Sequence, residues 1–134
     1  MPIKRINPPG LHDTPGYHHV NIATPGRLAF LAGQCPLDPS GSLVGEGDAL
    51  AQTDQIVANT LIALSAARAR PADVVRTVIY VVSDDTAVLA AVWRRLVESE
   101  LGRAFTTAST LVGVARLGFT GQLVELDVTA ALPA

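Results

Sequence analysis

Glu125 is the side chain in this sequence best placed for proton transfer. It stands between Val124 and Leu126 on a run that alternates: Val124, Leu126 and Val128 form one apolar row, while Leu123, Glu125, Asp127 and Thr129 form the other. A carboxylate on the second row faces away from an apolar core, where it is placed for proton transfer. The same pattern also describes a solvated strand glutamate. Tyr17 follows a Thr14-Pro15-Gly16 turn and offers a phenol. His18 and His19 are adjacent, so on a strand they point to opposite faces and cannot chelate one metal together. Even with His12 nearby, no acidic or cysteine partner completes a metal set, and these histidines read as structural or solvated. Gly33 closes a short strand-like run; a turn explains it, and so does a close approach of backbone to a ligand. Cys35, the one cysteine, has no cation or histidine beside it in sequence and reads as a small buried hydrophobe.

The elements that must hold these residues follow from period and punctuation. Tyr17 to Ala23 and Arg27 to Ala32 are strand-like runs around Thr24-Pro25-Gly26, which predicts a hairpin. After a loop from Pro36 to Gly47, Asp48 is placed to cap a long helix. Ile56, Val57, Thr60, Leu61 and Leu64 form its buried stripe, and it ends before Pro71. Val74 to Val82 is rich in β-branched residues and predicts a strand. Ser83-Asp84-Asp85 caps a second helix with Val88, Leu89, Val92, Trp93, Leu96 and Val97 on one stripe. Ala108 to Leu117 and Leu123 to Ala130 are closing strands around a turn from Gly118 to Gly121. The order is α+β, a mixed sheet with two helices packed on one face, in a single domain over residues 1–134.

In the middle strand, Val74, Val78, Tyr80 and Val82 are expected on one face, and Val75, Ile79 and Val81 on the other. Both faces are then apolar, yet two helices cover only one, so the second face is expected to meet another subunit. Composition agrees. The chain is 49% hydrophobic and only 16% charged, where about a quarter is usual. Its formal charge of −2 supplies no basic field, so nucleic acid is not an expected partner. The N-terminal residues form no apolar run, no segment reaches membrane-spanning length, and the single cysteine suits a reducing cytosol. The expectation is a cytoplasmic protein with no membrane partner.

Gly33-Gln34-Cys35-Pro36-Leu37-Asp38-Pro39, then Val112-Gly113-Val114-Ala115-Arg116-Leu117 and Leu123-Val124-Glu125-Leu126, together resemble the signature of the Rid/YjgF family, the reactive-intermediate deaminases, also known as L-PSP endoribonuclease-like proteins. The resemblance spans Tyr17 to Ala130. It implies a chorismate-mutase-like fold, a homotrimer with small-molecule clefts between subunits, and chemistry that needs no cofactor. It further implies that Glu125 handles the attacking water and that Tyr17, Gly33, Ser109, Thr110 and Leu111 line the cleft. Arg116, in the second motif, is expected to form a structural salt bridge.

One position departs from the family pattern. Where active deaminases carry an arginine that grips the substrate carboxylate, this chain has Ser109. A serine cannot supply two parallel charged donors. Arg103, a few residues upstream, is the alternative source of a cation. The resemblance therefore implies a hydrolase or deaminase of a small imine, enamine or amide-like metabolite, distinct from the usual 2-aminoacrylate deaminase. The alternatives are a non-catalytic small-molecule-binding trimer and, against the acidic charge balance, an endoribonuclease or translation inhibitor.

Overall fold

A computed structural model describes residues 3–24 and 26–133. Six strands and two helices appear in the order β1 (Ile3–Ile6), β2 (Val20–Ala23), β3 (Leu28–Phe30), α1 (Ala49–Ala66), β4 (Val74–Val82), α2 (Thr86–Val97), β5 (Ala108–Val114) and β6 (Val124–Ala131). Short 3₁₀ turns at Pro71–Asp73 and Gly102–Thr106 lead into β4 and β5. The main sheet runs β3-β6-β4-β5. β4 and β5 are parallel, with α2 as the crossover between them, and both β4 and β3 are antiparallel to β6. No helix among the described residues is long and apolar enough to cross a membrane.

The capping expectations hold. The Asp48 carboxylate accepts from the backbone N–H groups of Leu50 and Ala51, and that of Asp85 from Ala87. Both helices lie on one face of the sheet. Ile56, Val57 and Leu64 of α1 and Val92 and Leu96 of α2 join Ile79, Val81, Val124, Leu126 and Val128 in one buried cluster. The fold is α+β and chorismate-mutase-like.

Two local expectations fail for physical reasons. β2 and β3 do not pair: β2 pairs with β1, and β3 with β6, so the chain between them passes from one sheet to the other. Pro25 of the expected turn lies outside the described residues. A register shift between Val74 and Arg76 also breaks the alternation of β4. A bulge adds a residue on one strand and flips what precedes it, so Val74 joins Ile79 and Val81 in the core, and Val75 does not. Beyond the bulge, Val78, Tyr80 and Val82 face away from the helices as expected, in register with Asp127 and Glu125 of β6.

Buried amides tie the loops to this core. Gln52 of α1 is fully buried; its Nε2 donates to the carbonyls of Gly45 and Gly121, and its Oε1 accepts from Leu123 N–H at 2.7 Å. Seven residues on, Asn59 donates to the carbonyls of Cys35 and Leu37. One helix face thus anchors the chain just before β6 and just after Gly33.

The 3₁₀ turn before β4 is locked by Asp73, whose side chain is 2% exposed and accepts from the backbone N–H, Nε and Nη2 of Arg70. Those bonds from Arg70 hold the Asp73 carboxyl below its usual range, against the opposing effect of burial. A carboxyl depressed by folding contributes stability that is full above about pH 4 and lost as pH falls through the folded value. Acid titration of melting temperature should therefore show a decline below about pH 4 that is shallower in Asp73→Asn. Parallel declines would show that the pair contributes nothing to acid sensitivity.

Candidate active site

Glu125 is the second residue of β6, opposite Tyr80 of β4. Alongside it runs the segment after β3, where Gln34 N–H donates to Leu126 O at 2.7 Å and Leu126 N–H returns the bond at 3.1 Å. That pairing presses Gly33 against the Glu125 side chain. A Cβ added at residue 33 would lie 1.9 Å from Glu125 Oε2 and 2.8 Å from its Cδ. The close approach considered for Gly33 is real, and its object is a carboxylate of the same chain. Glycine keeps the carboxylate in this place, because any larger residue would displace it.

The other carboxylate oxygen is held by two donors that sequence reasoning passed over. Gln122, only 3% exposed, donates from Nε2 to Glu125 Oε1 at 3.1 Å and to Val124 O at 3.0 Å, while its Oε1 accepts from Phe119 N–H. Cys35, half-buried, donates its thiol to the same Oε1 at 3.5 Å. Burial, then the charge of Glu125, pushes the Cys35 thiol up, so it stays protonated and acts as a donor. Cys35 is thus a neighbour of the carboxylate as well as a small packed side chain. Only its spacing from Gly33 hinted at this, since the partner is distant in sequence.

The remaining expected residues meet elsewhere. Tyr17 and Pro15, Ala90 and Trp93 of α2, and Ser109 to Leu111 of β5 enclose a cavity of about 520 Å³. The N-terminal segment is fastened there by polar bonds. Thr14 Oγ1 donates to Tyr17 O and accepts from Gly16 N–H, a local turn that presents Tyr17. The His18 ring bonds Thr106 O, and Asn21 donates to Val75 O at 2.7 Å and to Thr107 Oγ1. His19 bonds His12 O at 2.8 Å, and His12 Nε2 meets the Tyr17 hydroxyl at 2.8 Å. The histidine rings therefore serve different partners, and His12 orients the phenol, a contact five residues apart that adjacency reasoning on His18 and His19 missed. Behind Tyr17, Trp93 packs edge-on at 6.2 Å and is backed by Phe105 at 5.8 Å.

Ser109 points into the helix-covered face. Its hydroxyl accepts from Thr77 Oγ1 at 2.6 Å and donates to Thr107 O at 3.2 Å. Arg103 is exposed on the 3₁₀ turn and is not among the residues that line this cavity within one protomer. Arg116, expected in a salt bridge, is exposed, and the ion pairs among the described residues are Arg70–Asp73 and Arg95–Asp54.

Within one protomer, then, Glu125 with Gly33 forms one half-site, and Tyr17 with Ser109, Thr110 and Leu111 forms another. Ser109 lies two strands across and three residues along from Glu125 and on the opposite sheet face, roughly 10 Å away in each direction at ordinary strand spacing. The structure does not bring the halves together.

A mixed sheet with two helices on one face makes this a chorismate-mutase-like α+β protein. The chain belongs to the Endoribonuclease L-PSP family, whose model matches residues 12–132. Among solved structures it is similar to YyfB of Yersinia pestis, described as a protein of unknown function of the conserved Rid family, at 35% identity. That match covers 98% of this chain and 100% of the other, with a TM-score of 0.87. Rv2704 of Mycobacterium tuberculosis, of the YjgF/YER057c/UK114 family, is 29% identical over 97% and 99% of the two chains, with a TM-score of 0.63. The YjgF product of E. coli is 27% identical over 78% and 80%, with a TM-score of 0.62. No curated protein matches the chain in sequence.

Proposed function

We propose that the protein is a trimeric, cofactor-free hydrolase of the deaminase type, acting on a small imine, enamine or amide-like molecule other than 2-aminoacrylate. The observation that carries this reading is the Glu125 carboxylate packed on the Cα of Gly33 and held through one oxygen by Gln122, which leaves Oε2 as a base of fixed position. For an imine, Glu125 takes a proton from water as the water oxygen bonds to the C=N carbon, and returns it to nitrogen to give a carbinolamine. Glu125 then carries the hydroxyl proton to nitrogen as the C–N bond breaks, and a carbonyl compound and ammonia leave. An enamine enters the same path after protonation at carbon.

Assembly is what joins the half-sites. Val78, Tyr80 and Val82 line the sheet face without helices, and on β3 of the same sheet Phe30 is 74% and Leu28 49% exposed. An apolar face of this kind favours a partner copy, which would set the Glu125 half-site of one protomer against the Tyr17 half-site of the next. Sedimentation at micromolar concentration should give about three times the 14.0 kDa chain mass.

Complementation tests the shared site directly. Glu125→Gln and Leu111→Trp, the second filling the cavity, should each be inactive in ammonia release from an imine and enamine panel. Mixed oligomers refolded together should recover part of the wild-type rate, because some clefts receive two intact halves. A monomeric protein, or mixtures as inactive as the parents, would overturn the composite cleft.

A further inference from the structure

We infer that the cavity beside β5 receives an uncharged, flat apolar group such as an aromatic ring, and that it selects against a carboxylate. The inference rests on the proposed small-molecule function and names the substrate class of that same site. Its lining residues carry no charge: Tyr17, Trp93, Leu111, Pro15 and Ala90 give an apolar wall and Ser109 adds a hydroxyl, while the Thr110 hydroxyl is turned to Arg76 on the other sheet face. The Ser109 hydroxyl is already engaged, accepting from Thr77 and donating to Thr107 O. Its O–H therefore has no proton left for a ligand oxygen. A carboxylate entering this cavity would lose water and gain no charged donor, whereas an aromatic ring would lie against Trp93, Tyr17 and Leu111.

The wall is also rigid. Trp93 is wedged edge-on between Tyr17 at 6.2 Å and Phe105 at 5.8 Å, and Phe105 is 1% exposed. Aromatic surfaces held by other aromatics suit a flat ring and give up little entropy on binding it. Tyr17, its hydroxyl fixed by His12 Nε2, is the oriented polar group at the rim.

Arg76, which bonds a hydroxyl of the lining strand, does not alter this. Its Nη2 donates to Thr110 Oγ1 at 3.0 Å, but it stands in register with Ala108 on the sheet face opposite Ser109, outside the cavity wall. An arginine in that position supports the strand edge.

Trp93 is the only tryptophan, so its fluorescence reports on the cavity in the intact protein. Benzamide and benzoate have nearly the same shape and differ in charge. Benzamide should change Trp93 emission with a dissociation constant at least about tenfold below that of benzoate, a ratio worth about 1.4 kcal/mol. Ser109→Arg should reverse the order. Ala90→Arg, at an exposed position of α2 on the cavity rim, asks the same question without disturbing Thr77. Equal or tighter binding of benzoate by the wild type overturns the inference, and its loss in Arg76→Gln would make Arg76 the clamp. No emission change with either probe overturns it as well. So does an unaltered preference in both folded arginine variants. Binding is read without turnover. Benzamide selectivity in a protein whose Glu125→Gln variant keeps full turnover would remove the hydrolase reading and leave this inference standing.

Discussion

Glu125→Gln should leave a folded, trimeric protein with nearly unchanged melting temperature and at least about a hundredfold lower turnover. That loss corresponds to about 2.7 kcal/mol of transition-state stabilisation and is the usual scale for removing a general base. The amide keeps the shape of the acid, and its Oε1 can still accept from Gln122, so the local packing has no reason to change. Only the ability to take a proton is lost. Three measurements on this one variant separate the possible roles. Lower turnover at constant stability supports the base; lower melting temperature with proportionate activity indicates a structural acid. Altered ligand affinity without any turnover in either protein indicates a binding module.

Gly33→Ala should be nearly as damaging to turnover, again about a hundredfold, while shifting the melting temperature by only a few degrees. The added methyl would fall 1.9 Å from Glu125 Oε2, so the carboxylate must move. It is the far end of a flexible side chain, so the displacement is cheap in stability and costs at most about one unfavourable rotamer. It is expensive in chemistry, because a misplacement of about 1 Å in a catalytic group costs on the order of a hundredfold. In the Glu125→Gln background the same alanine should cost little further turnover, since both changes disable one group. Additive losses in the double variant would show that Gly33 serves the substrate rather than the acid.

The secondary structure was largely legible because its signals are local. Asp48 and Asp85 announce helix starts, and the β-branched run of Val74 to Val82 gives β4 from end to end. Pairing was less so. The Thr24-Pro25-Gly26 punctuation marks a change of direction but not a partner, and β2 finds β1, whose four residues carry too little pattern to read as a strand. The bulge at Val74 to Arg76 is set by register with β6, which no single run encodes. At the site, Glu125, Gly33, Tyr17 and Ser109 could be singled out by type and motif. The supports of Glu125 could not, because Gln122 and Cys35 look bland until the fold brings them to one carboxylate oxygen. Gln52 and Asn59 were hidden for a related reason: amides on a helix read as solvent-facing unless the carbonyls they bond are known.

The strand that carries Glu125 follows every other described element in chain order, yet it sits between β3 and β4 in the sheet. Until it arrives, β3 has no neighbour in the main sheet and only the β4–β5 pair can form. The hydrophobic faces of α1 and α2 must wait on an incomplete platform, and the open edge of β4 is free to accept a strand from another molecule. Such distant pairings slow folding and lengthen exposure to aggregation. Refolding of this protein should therefore be governed by the insertion of β6, and its yield should fall with chain concentration before its stability does.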